Sequence, residues 1–327
     1  MRDVHRVLVT GATGFVGRHV RRVLQERGVD VVGTSRDPER AAHREPAAQW
    51  RYLDATKPES IRPAMAGCDA AIYLVHSMAE GADYEAAERR SATAFREAAE
   101  HAELARIVYL GGMRPRGKPS KHLRSRLATG EILRGGRICA IELQAAMVVG
   151  GGSESWRMVR DLAARLPLML LPKWLETKSQ PIAIDDVSYA ICQALTLTVE
   201  GSQVYPLPGP EVLSAREILL RTARLLGSKP RVMSVPVVTP RLSSYWIRLV
   251  TRANRHIAEE LVEGLRSDML AEGQEFWDLF PEYQRTNFDE AALRALAEEA
   301  DSLPLGSLAL EWVLRAPASR RVNPVHR

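Results

Sequence analysis

The chain has 327 residues, of which 46% are hydrophobic and 26% are charged, the proportions of an ordinary soluble globular protein. This length is enough for one large domain, or for a domain and a smaller lobe, with an ample core. No apolar stretch approaches the ~20 residues that a membrane-spanning helix requires, and no apolar signal segment follows Met1, so we expect a cytoplasmic protein.

Arginine dominates the positive charge of the chain. The net charge is +5, but only six of the 45 basic residues are lysines, and no nucleic-acid-recognition motif accompanies them. We therefore interpret the charge as a solvated surface and expect no nucleic-acid partner. The three cysteines and eight histidines show none of the CxxC, HxxxH or HExxH spacings, so we predict no metal site.

The first half of the chain alternates apolar, strand-like runs with amphipathic stretches of helical periodicity. We predict strands at 6–10, 29–34, 50–53, 70–75, 106–109 and 139–143. Helices are predicted near 14–27, 60–66, 84–102 and 124–134. Strand, helix and strand at this rhythm indicate an α/β fold in which a doubly wound parallel sheet carries helices on both faces.

The alternation stops near residue 150. Prolines and leucines become frequent at 166–174, a strand-like QPIAI follows at 180–184, and the remainder is largely helical. We predict a first domain over 1–150 and a smaller, mostly helical substrate lobe over 151–315 at the carboxyl edge of the sheet. Residues near 180–207 are expected to return to the first domain, and 316–327 to form a flexible tail.

The sequence VLVTGATGFVGRHVRRVL places three glycines between the first predicted strand and a long amphipathic helix. In a dinucleotide-binding turn the first glycine makes the tight turn, the second lets the backbone approach a pyrophosphate, and the third lets the helix pack on the strand. The phosphates then bind free N–H groups at the helix N-terminus. Close helix packing alone also favours this spacing. The candidate cofactor contacts are Gly11, Thr13, Gly14, Phe15, Val16 and Gly17.

The residues after the second strand favour NADP(H) over NAD(H). An NAD-specific site has an acidic residue there for the ribose 2′-hydroxyl, whereas this chain has Ser35 and Arg36, which suit a 2′-phosphate. Asp37 comes one position too late for that role. The alternative is that Arg36 is one more surface arginine. Asp54, at the end of the third strand, is placed for the adenine amino group, although it could instead cap the next helix.

The segments TGATGFVG, YLVHSM, ERR, HLRSR, GGSESWRMVRDLAARLP and QPIAIDDV occur in this order. Together they resemble the atypical short-chain dehydrogenase/reductases, and more narrowly the bacterial NAD(P)-binding subgroup near the NmrA-like proteins and the nucleotide-binding accessory subunit of respiratory complex I. The resemblance covers residues 5 to about 275. It implies a Rossmann-type domain, a bound NAD(P)(H) and a C-terminal substrate lobe. It also extends the cofactor contacts to Val75, His76 and Ser77 at the end of the fourth strand.

The same resemblance implies a catalytic serine after the fifth strand and a Tyr-x-x-x-Lys pair on the following helix, and this chain has neither. Gly111, Gly112 and Met113 follow the fifth strand. On the helix, His122 and Arg126 hold the tyrosine and lysine positions, and no tyrosine elsewhere is followed by a lysine four residues later. The family's ordinary proton-relay pair is therefore absent.

His122 and Arg126 keep the i, i+4 spacing and so share one helix face. Arg126 could hold the ribose hydroxyls, but it stays charged and relays no proton. It would disfavour an imidazolium nearby, which leaves a neutral His122 able to act as acid or base near neutral pH. In the alternative, the pocket binds the nucleotide without catalysis, His122 lines the helix start, and Arg126 pairs with an acid such as Glu131 or with solvent.

The second lobe contains two features that bear on the ligand. Three glycines at 150–152 form either a turn or a space beside the nicotinamide. The large apolar residues that could line a substrate cleft, or pack in the core, are Trp156, Met158, Met169, Leu170 and Trp174.

Residues 241–261, RLSSYWIRLVTRANRHIAEEL, have helical periodicity. Apolar residues with Trp246 fall on one arc, and four arginines fall on the opposite side. Such a helix suits an anionic membrane surface or a protein partner, or it packs on the second lobe.

Our first hypothesis is an NADP(H)-preferring protein of the atypical reductase type that acts on or senses an apolar, quinone-like small molecule. The first alternative is a non-catalytic redox sensor or accessory subunit that docks on a partner or membrane complex, peripherally at the inner membrane face. The second alternative, a sugar-nucleotide epimerase or dehydratase, is disfavoured because that chemistry uses the Tyr/Lys pair.

Overall fold

The computed structural model describes residues 4–75, 84–165, 168–235 and 267–301. Strands and helices alternate strictly through the first half of the chain. Their bounds are β1 Arg6–Val9, α1 Phe15–Glu26, β2 Asp30–Ser35, α2 Pro38–Arg44, β3 Gln49–Tyr52, α3 Pro58–Ala64, β4 Ala70–Tyr73, α4 Tyr84–His101, β5 Arg106–Gly112, α5 Lys121–Arg134 and β6 Ala140–Ala145.

The second half has shorter strands between its helices. The elements are β7 Val148–Val149, α6 Glu154–Arg165, β8 Leu168–Pro172, β9 Lys178–Ser179, β10 Ile182–Ala183, α7 Ile184–Thr196, β11 Gln203–Pro206, β12 Leu213–Ser214, α8 Ala215–Leu225, β13 Arg231–Val235, α9 Glu275–Asp278 and α10 Phe288–Asp301. Three small two-stranded pairings, β10 with β7, β12 with β9 and β13 with β8, connect this half internally.

A seven-stranded sheet in the order β11-β6-β5-β4-β1-β2-β3 forms the centre of the molecule. Each pairing in it is parallel. This confirms the predicted Rossmann-type, doubly wound α/β fold. The chain passes from β1 to β2 and β3 on one side and then crosses to β4 on the other, so the strand order reverses beside β1. In such sheets ligands bind outside the carboxyl ends of the strands at this reversal.

Helices cover both faces of the sheet, which explains the continuous apolar runs of its strands. Val7 and Val9 of β1 belong to the core under α1 and α7, whereas Leu8 belongs to the core under α3, α4 and α5. A strand that is buried on both faces needs apolar residues at successive positions rather than at alternate ones.

The structure differs from the predicted elements at several boundaries. The helix α2 was not predicted; it has seven residues and begins at a proline after the capping Asp37. The helix predicted from 124 begins at Lys121, because the Ser120 side chain caps it by accepting from the N–H of Leu123. The predicted strand at 180–184 is only Ile182–Ala183, and α7 begins at Ile184.

Large apolar residues of the second lobe pack in the core. Trp156 is fully buried, and Met158 and Met169 are 5% and 1% exposed. Trp156 belongs to a cluster with Ile218 of α8 and Phe288 of α10. For these three residues the core-packing alternative holds, and the substrate-cleft alternative does not.

Several predictions fall on residues that the structure does not describe. The amphipathic segment 241–261, the tail 316–327, and the candidate cofactor contacts His76 and Ser77 all lie outside the described residues. Within the described ranges, no helix has both the length and the apolar character to cross a membrane.

Candidate nucleotide-binding site

The glycine loop joins β1 to α1 at the point where the strand order reverses. Gly11 adopts a left-handed φ of +60°, and a Cβ there would lie 3.0 Å from the carbonyl oxygen of Leu74. A Cβ on Gly17 would lie 2.3 Å from the carbonyl oxygen of Gly11 and 2.8 Å from the Cα of Ala12. The turn and the helix contact therefore require glycine at both positions.

Gly14 precedes the first turn of α1 and leaves that turn open. Its N–H donates to the carbonyl of Gly11 at 2.9 Å, and no side chain caps the helix. The first turn carries no acidic residue. The first N–H groups of a helix have no acceptor within the helix, so those of Phe15, Val16 and Gly17 are available to an anion.

The space beside Gly14 suits a pyrophosphate. A Cβ on Gly14 would have one neighbour within 4 Å, the carbonyl oxygen of Gly11 at 3.1 Å, so the remaining space is open. Thr13 is exposed, and its carbonyl accepts from the Arg18 guanidinium at 3.2 Å. Arg18 adds a positive charge that the sequence analysis missed, although its position one residue after the third glycine could have drawn attention to it. The residues present fit a dinucleotide pyrophosphate at this helix end.

The end of β2 shows why Asp37 does not occupy the place of an NAD-type acidic residue. The Oδ1 atom of Asp37 accepts from the backbone N–H of Arg40 at 2.9 Å and caps α2. Ser35 Oγ donates to the carbonyl of Asp37 at 2.9 Å and accepts from its N–H at 3.0 Å. Arg36 is exposed at the same strand end. Asp37 therefore points toward α2, the helix that it caps, and Arg36 lies exposed at the end of β2.

Asp54 lies at the end of β3, as expected, but it does not cap α3. The N-cap of α3 is Lys57, and Oδ1 of Asp54 accepts from the N–H of Thr56 at 3.0 Å and from its hydroxyl at 2.7 Å. Burial raises the pKa of Asp54, but the Thr56 hydrogen bonds and the positive charges of Lys57 and Arg36 outweigh it and lower the pKa overall. Asp54 is therefore an ionised hydrogen-bond acceptor just beyond the end of β3.

At the other end of the site, Arg126 is held against β5. Its Nη2 donates to the carbonyl of Leu110 at 2.6 Å, and the Tyr109 hydroxyl donates to the carbonyl of Arg126 at 3.0 Å. Its described hydrogen bond is therefore to a strand carbonyl and not to Glu131, the acid named as its partner in the alternative.

His122 lies one turn earlier in α5, half-buried in its first turn. Val75, the last described residue before the gap, is half-buried beyond β4.

Close packing explains the glycines that stand where the catalytic serine was expected. A Cβ on Gly111 would lie 2.7 Å from Oε1 of Glu142, and one on Gly112 would lie 2.5 Å from Cδ1 of Leu123. Glu142 is 1% exposed and accepts from Nε of Arg134 at 2.9 Å. This ion pair was not predicted, and its buried carboxylate fills the space that a side chain at Gly111 would need.

A basic loop follows β5 at the same edge of the sheet. Arg114, Arg116 and Lys118 are exposed, and no described acid forms an ion pair with them. The sequence has no Asp or Glu between Glu103 and Glu131, a pattern that could have revealed this loop before the structure did. A local excess of positive charge attracts anionic groups to the crevice.

The glycines at 150–152 form the contact between the second lobe and the glycine loop. A Cβ on Gly150 would lie 2.6 Å from Cγ2 of Ile184 and 2.9 Å from Cζ of Phe15. The N–H of Gly151 donates to Glu298 at 3.0 Å. Gly152 adopts a φ of +93°. These glycines serve a tight turn and close packing, the first of the two alternatives.

Comparison with known proteins agrees with this geometry. Residues 11–137 match the NAD(P)H-binding family model. The ceramide reductase of Caulobacter vibrioides is 27% identical over 239 residues, which cover 70% of this chain and 73% of that protein. The photosystem II assembly factor Ycf39 of Synechocystis sp. is 24% identical over 294 residues, 87% of this chain and 86% of its own. Subunit 9 of the NADH dehydrogenase [ubiquinone] 1 alpha subcomplex of Arabidopsis thaliana is 26% identical over 248 residues, 70% of this chain and 60% of its own.

Solved structures share the fold. The triphenylmethane reductase of Citrobacter sp. complexed with NADP(H) has a TM-score of 0.69 at 18% identity, covering 89% of this chain and 99% of that one. A nucleoside-diphosphate-sugar epimerase from Staphylococcus aureus has a TM-score of 0.70 at 15% identity, covering 88% and 99%. The prediction of a nicotinamide dinucleotide as the cofactor is confirmed by the family match.

Proposed function

We propose that this chain, which carries an NAD(P)H-binding domain over residues 11–137, is an atypical short-chain dehydrogenase/reductase-like protein that binds NADP(H) and acts on or senses an apolar, quinone-like molecule. The observation that carries the proposal is the uncapped first turn of α1 behind the glycine loop, with an exposed arginine at the end of β2.

In this proposal, different described residues bind different parts of the nucleotide. The N–H groups of the first turn of α1 hold the pyrophosphate, Asp54 accepts from the adenine amino group, and Arg36 binds the 2′-phosphate. When bound, the nicotinamide supplies or accepts a hydride. At that end Arg126, fixed by the carbonyl of Leu110, is a permanent cation for the ribose hydroxyls.

Arg36 should set the preference between the two cofactors. Calorimetric titration should show NADPH binding several-fold more tightly than NADH, and Arg36→Ala should weaken NADPH binding about 10-fold, because a hydrogen bond to a charged group is lost. NADH affinity should hardly change.

Arg40→Ala is the matched control, since Arg40 is another exposed arginine, five residues from Ser35 in the chain and in the first turns of α2. Its removal should leave both affinities unchanged. Equal affinities of the parent protein for NADPH and NADH would contradict the assignment of Arg36.

The proposed substrate class is supported by two relatives that carry the names ceramide reductase and NADH dehydrogenase [ubiquinone] subunit, which refer to a lipid and a quinone. In this proposal His122 is the acid or base, because Arg126 cannot relay a proton and glycine replaces the serine.

His122 should be required for turnover but not for cofactor binding. With NADPH and a short-chain quinone as the probe, the rate should follow one ionisation between about pH 5 and 8, and His122→Ala should abolish it while NADPH still binds. His101→Ala, at an exposed histidine at the end of α4, is the control and should keep full activity. Undiminished turnover by His122→Ala would remove this residue from the mechanism.

A non-catalytic sensor or accessory subunit is the second candidate. The absence of both the serine and the Tyr/Lys pair favours it, and residues 241–261 would then supply the surface for a partner or an anionic membrane. It predicts NADPH binding without oxidation of NADPH by any quinone or carbonyl compound. Turnover therefore separates the two candidates, and nucleotide affinity alone does not.

A further inference from the structure

A second cation, Lys57, lies between β3 and α3, close to the end of the strand that neighbours β2. Lys57 is exposed at the N-cap of α3, and its Nζ lies 3.4 Å from the hydroxyl of Tyr52, the last residue of β3. Tyr52 is 43% exposed, so the Tyr52 hydroxyl and the Lys57 ammonium form a solvent-accessible pair at this strand end.

The register of the sheet places this pair beside the proposed 2′-phosphate position. Ser35, the residue before Arg36, pairs with Tyr52 in the parallel ladder of β2 and β3. Neighbouring strands lie about 4.8 Å apart, so the two strand ends form one continuous rim. Asp54 follows on the same rim, and both Lys57 and Arg36 are close enough for their charges to lower its pKa.

The hydrogen bonds of the rim leave the Lys57 ammonium available. Oδ1 of Asp54 accepts from Thr56, and no described acid lies within ion-pair distance of Lys57. The described partner of the ammonium is the neutral Tyr52 hydroxyl, so two of its three N–H donors remain for a ligand. A cation that is held by a phenol and not by a carboxylate keeps its full charge for an anion.

We propose that Lys57 is a specificity-determining residue, whose ammonium, positioned by the Tyr52 hydroxyl, binds the 2′-phosphate of NADP(H) from the side opposite Arg36. This inference rests on the proposed function and adds a second contact to it. A phosphate group has three strong acceptor oxygens, so a guanidinium on β2 and an ammonium beyond β3 can bind it together.

The test compares the affinities for NADPH and NADH of four full-length proteins by calorimetry. Lys57→Gln should weaken NADPH binding about 5-fold and leave NADH binding unchanged, because the lost contact is a partly solvated ion pair. Tyr52→Phe should have a smaller effect in the same direction. Lys229→Gln, at an exposed lysine before β13, is the matched control and should change neither affinity.

The outcomes separate this inference from the proposed function. A parent that prefers NADPH, with a Lys57→Gln variant that is unchanged or that loses NADPH and NADH equally, overturns the inference alone. A parent that binds neither nucleotide overturns the proposed function and the inference with it. Circular dichroism and the urea midpoint of Lys57→Gln check that the variant is folded.

Discussion

Gly17→Ala should abolish NADPH binding and strongly destabilise the protein. The added Cβ would lie 2.3 Å from the carbonyl oxygen of Gly11 and 2.8 Å from the Cα of Ala12, and both are backbone atoms that a rotamer change cannot move. Separation of the glycine loop from α1 should cost about 3 kcal/mol of unfolding free energy, at the upper end for overpacking. Urea unfolding and a calorimetric NADPH titration measure the two effects.

Gly14→Ala should weaken NADPH binding without destabilising the protein. The φ of Gly14 is −76°, which alanine adopts readily, and the nearest atom to a Cβ is the Gly11 carbonyl oxygen at 3.1 Å. Unfolding free energy should change by less than about 1 kcal/mol, whereas NADPH affinity should fall at least about 10-fold, because the pyrophosphate approaches the backbone there. Gly28→Ala is the control for binding: nothing lies within 4 Å of its Cβ position, but its φ is +76°, so the variant should lose about 1 kcal/mol of stability and keep the parent affinity for NADPH. Normal stability and affinity of Gly17→Ala would contradict this description of the loop.

Arg106→Met should destabilise the fold without altering the site. Arg106 is 6% exposed at the amino end of β5, and its Nη1 donates to the carbonyls of Ala194 at 2.9 Å and Leu195 at 3.5 Å, and also to that of Leu197. These carbonyls end α7, which packs on the central sheet. Leaving them buried without a donor should cost about 3–5 kcal/mol, summed over the lost hydrogen bonds to a charged group.

The measurement is the urea midpoint, together with the NADPH affinity of the folded variant. The NADPH affinity should be retained, because Arg106 lies at the amino ends of the strands, whereas the glycine loop lies at their carboxyl ends. Arg137→Met is the matched control at that same edge, where the Arg137 side chain is 83% exposed, and its midpoint should stay at the parent value. A midpoint for Arg106→Met equal to that of the control would show that α7 does not depend on this arginine.

Local patterns were sufficient to predict most of the central sheet. Six of its seven strands were predicted, and the clearest apolar runs are those of β1 and β4, whose residues are buried from both faces, whereas the edge strand β3 is half-exposed. The exact ends do not follow. The strand predicted to end at residue 109 continues to Gly112, because Gly111 and Gly112 pair with Gln144 and Ala145 of β6, a contact between distant parts of the chain. The short helix α2 was missed, although Asp37 followed by Pro38 is a recognisable helix start.

The candidate site was predictable where its residues are close in sequence. The glycine spacing and Arg36 could be identified from the chain alone, and Tyr52 with Lys57 could have been, since they flank Asp54. The role of Asp37 as a cap and the filling of the Gly111 space by Glu142 could not, because both depend on where a side chain points in the folded protein.

Hydrogen exchange of the full-length protein with and without NADPH tests the central claim most directly. If the nucleotide binds at the uncapped turn of α1, backbone amides in peptides covering 11–17 should become strongly protected, with weaker protection over 33–37 and 52–57, because the pyrophosphate occupies N–H groups that otherwise bond to water. Peptides at the opposite edge of the sheet, such as 100–106, should not change. Saturating NADPH that leaves exchange over 11–17 unaltered would contradict the claim that this loop is the cofactor site.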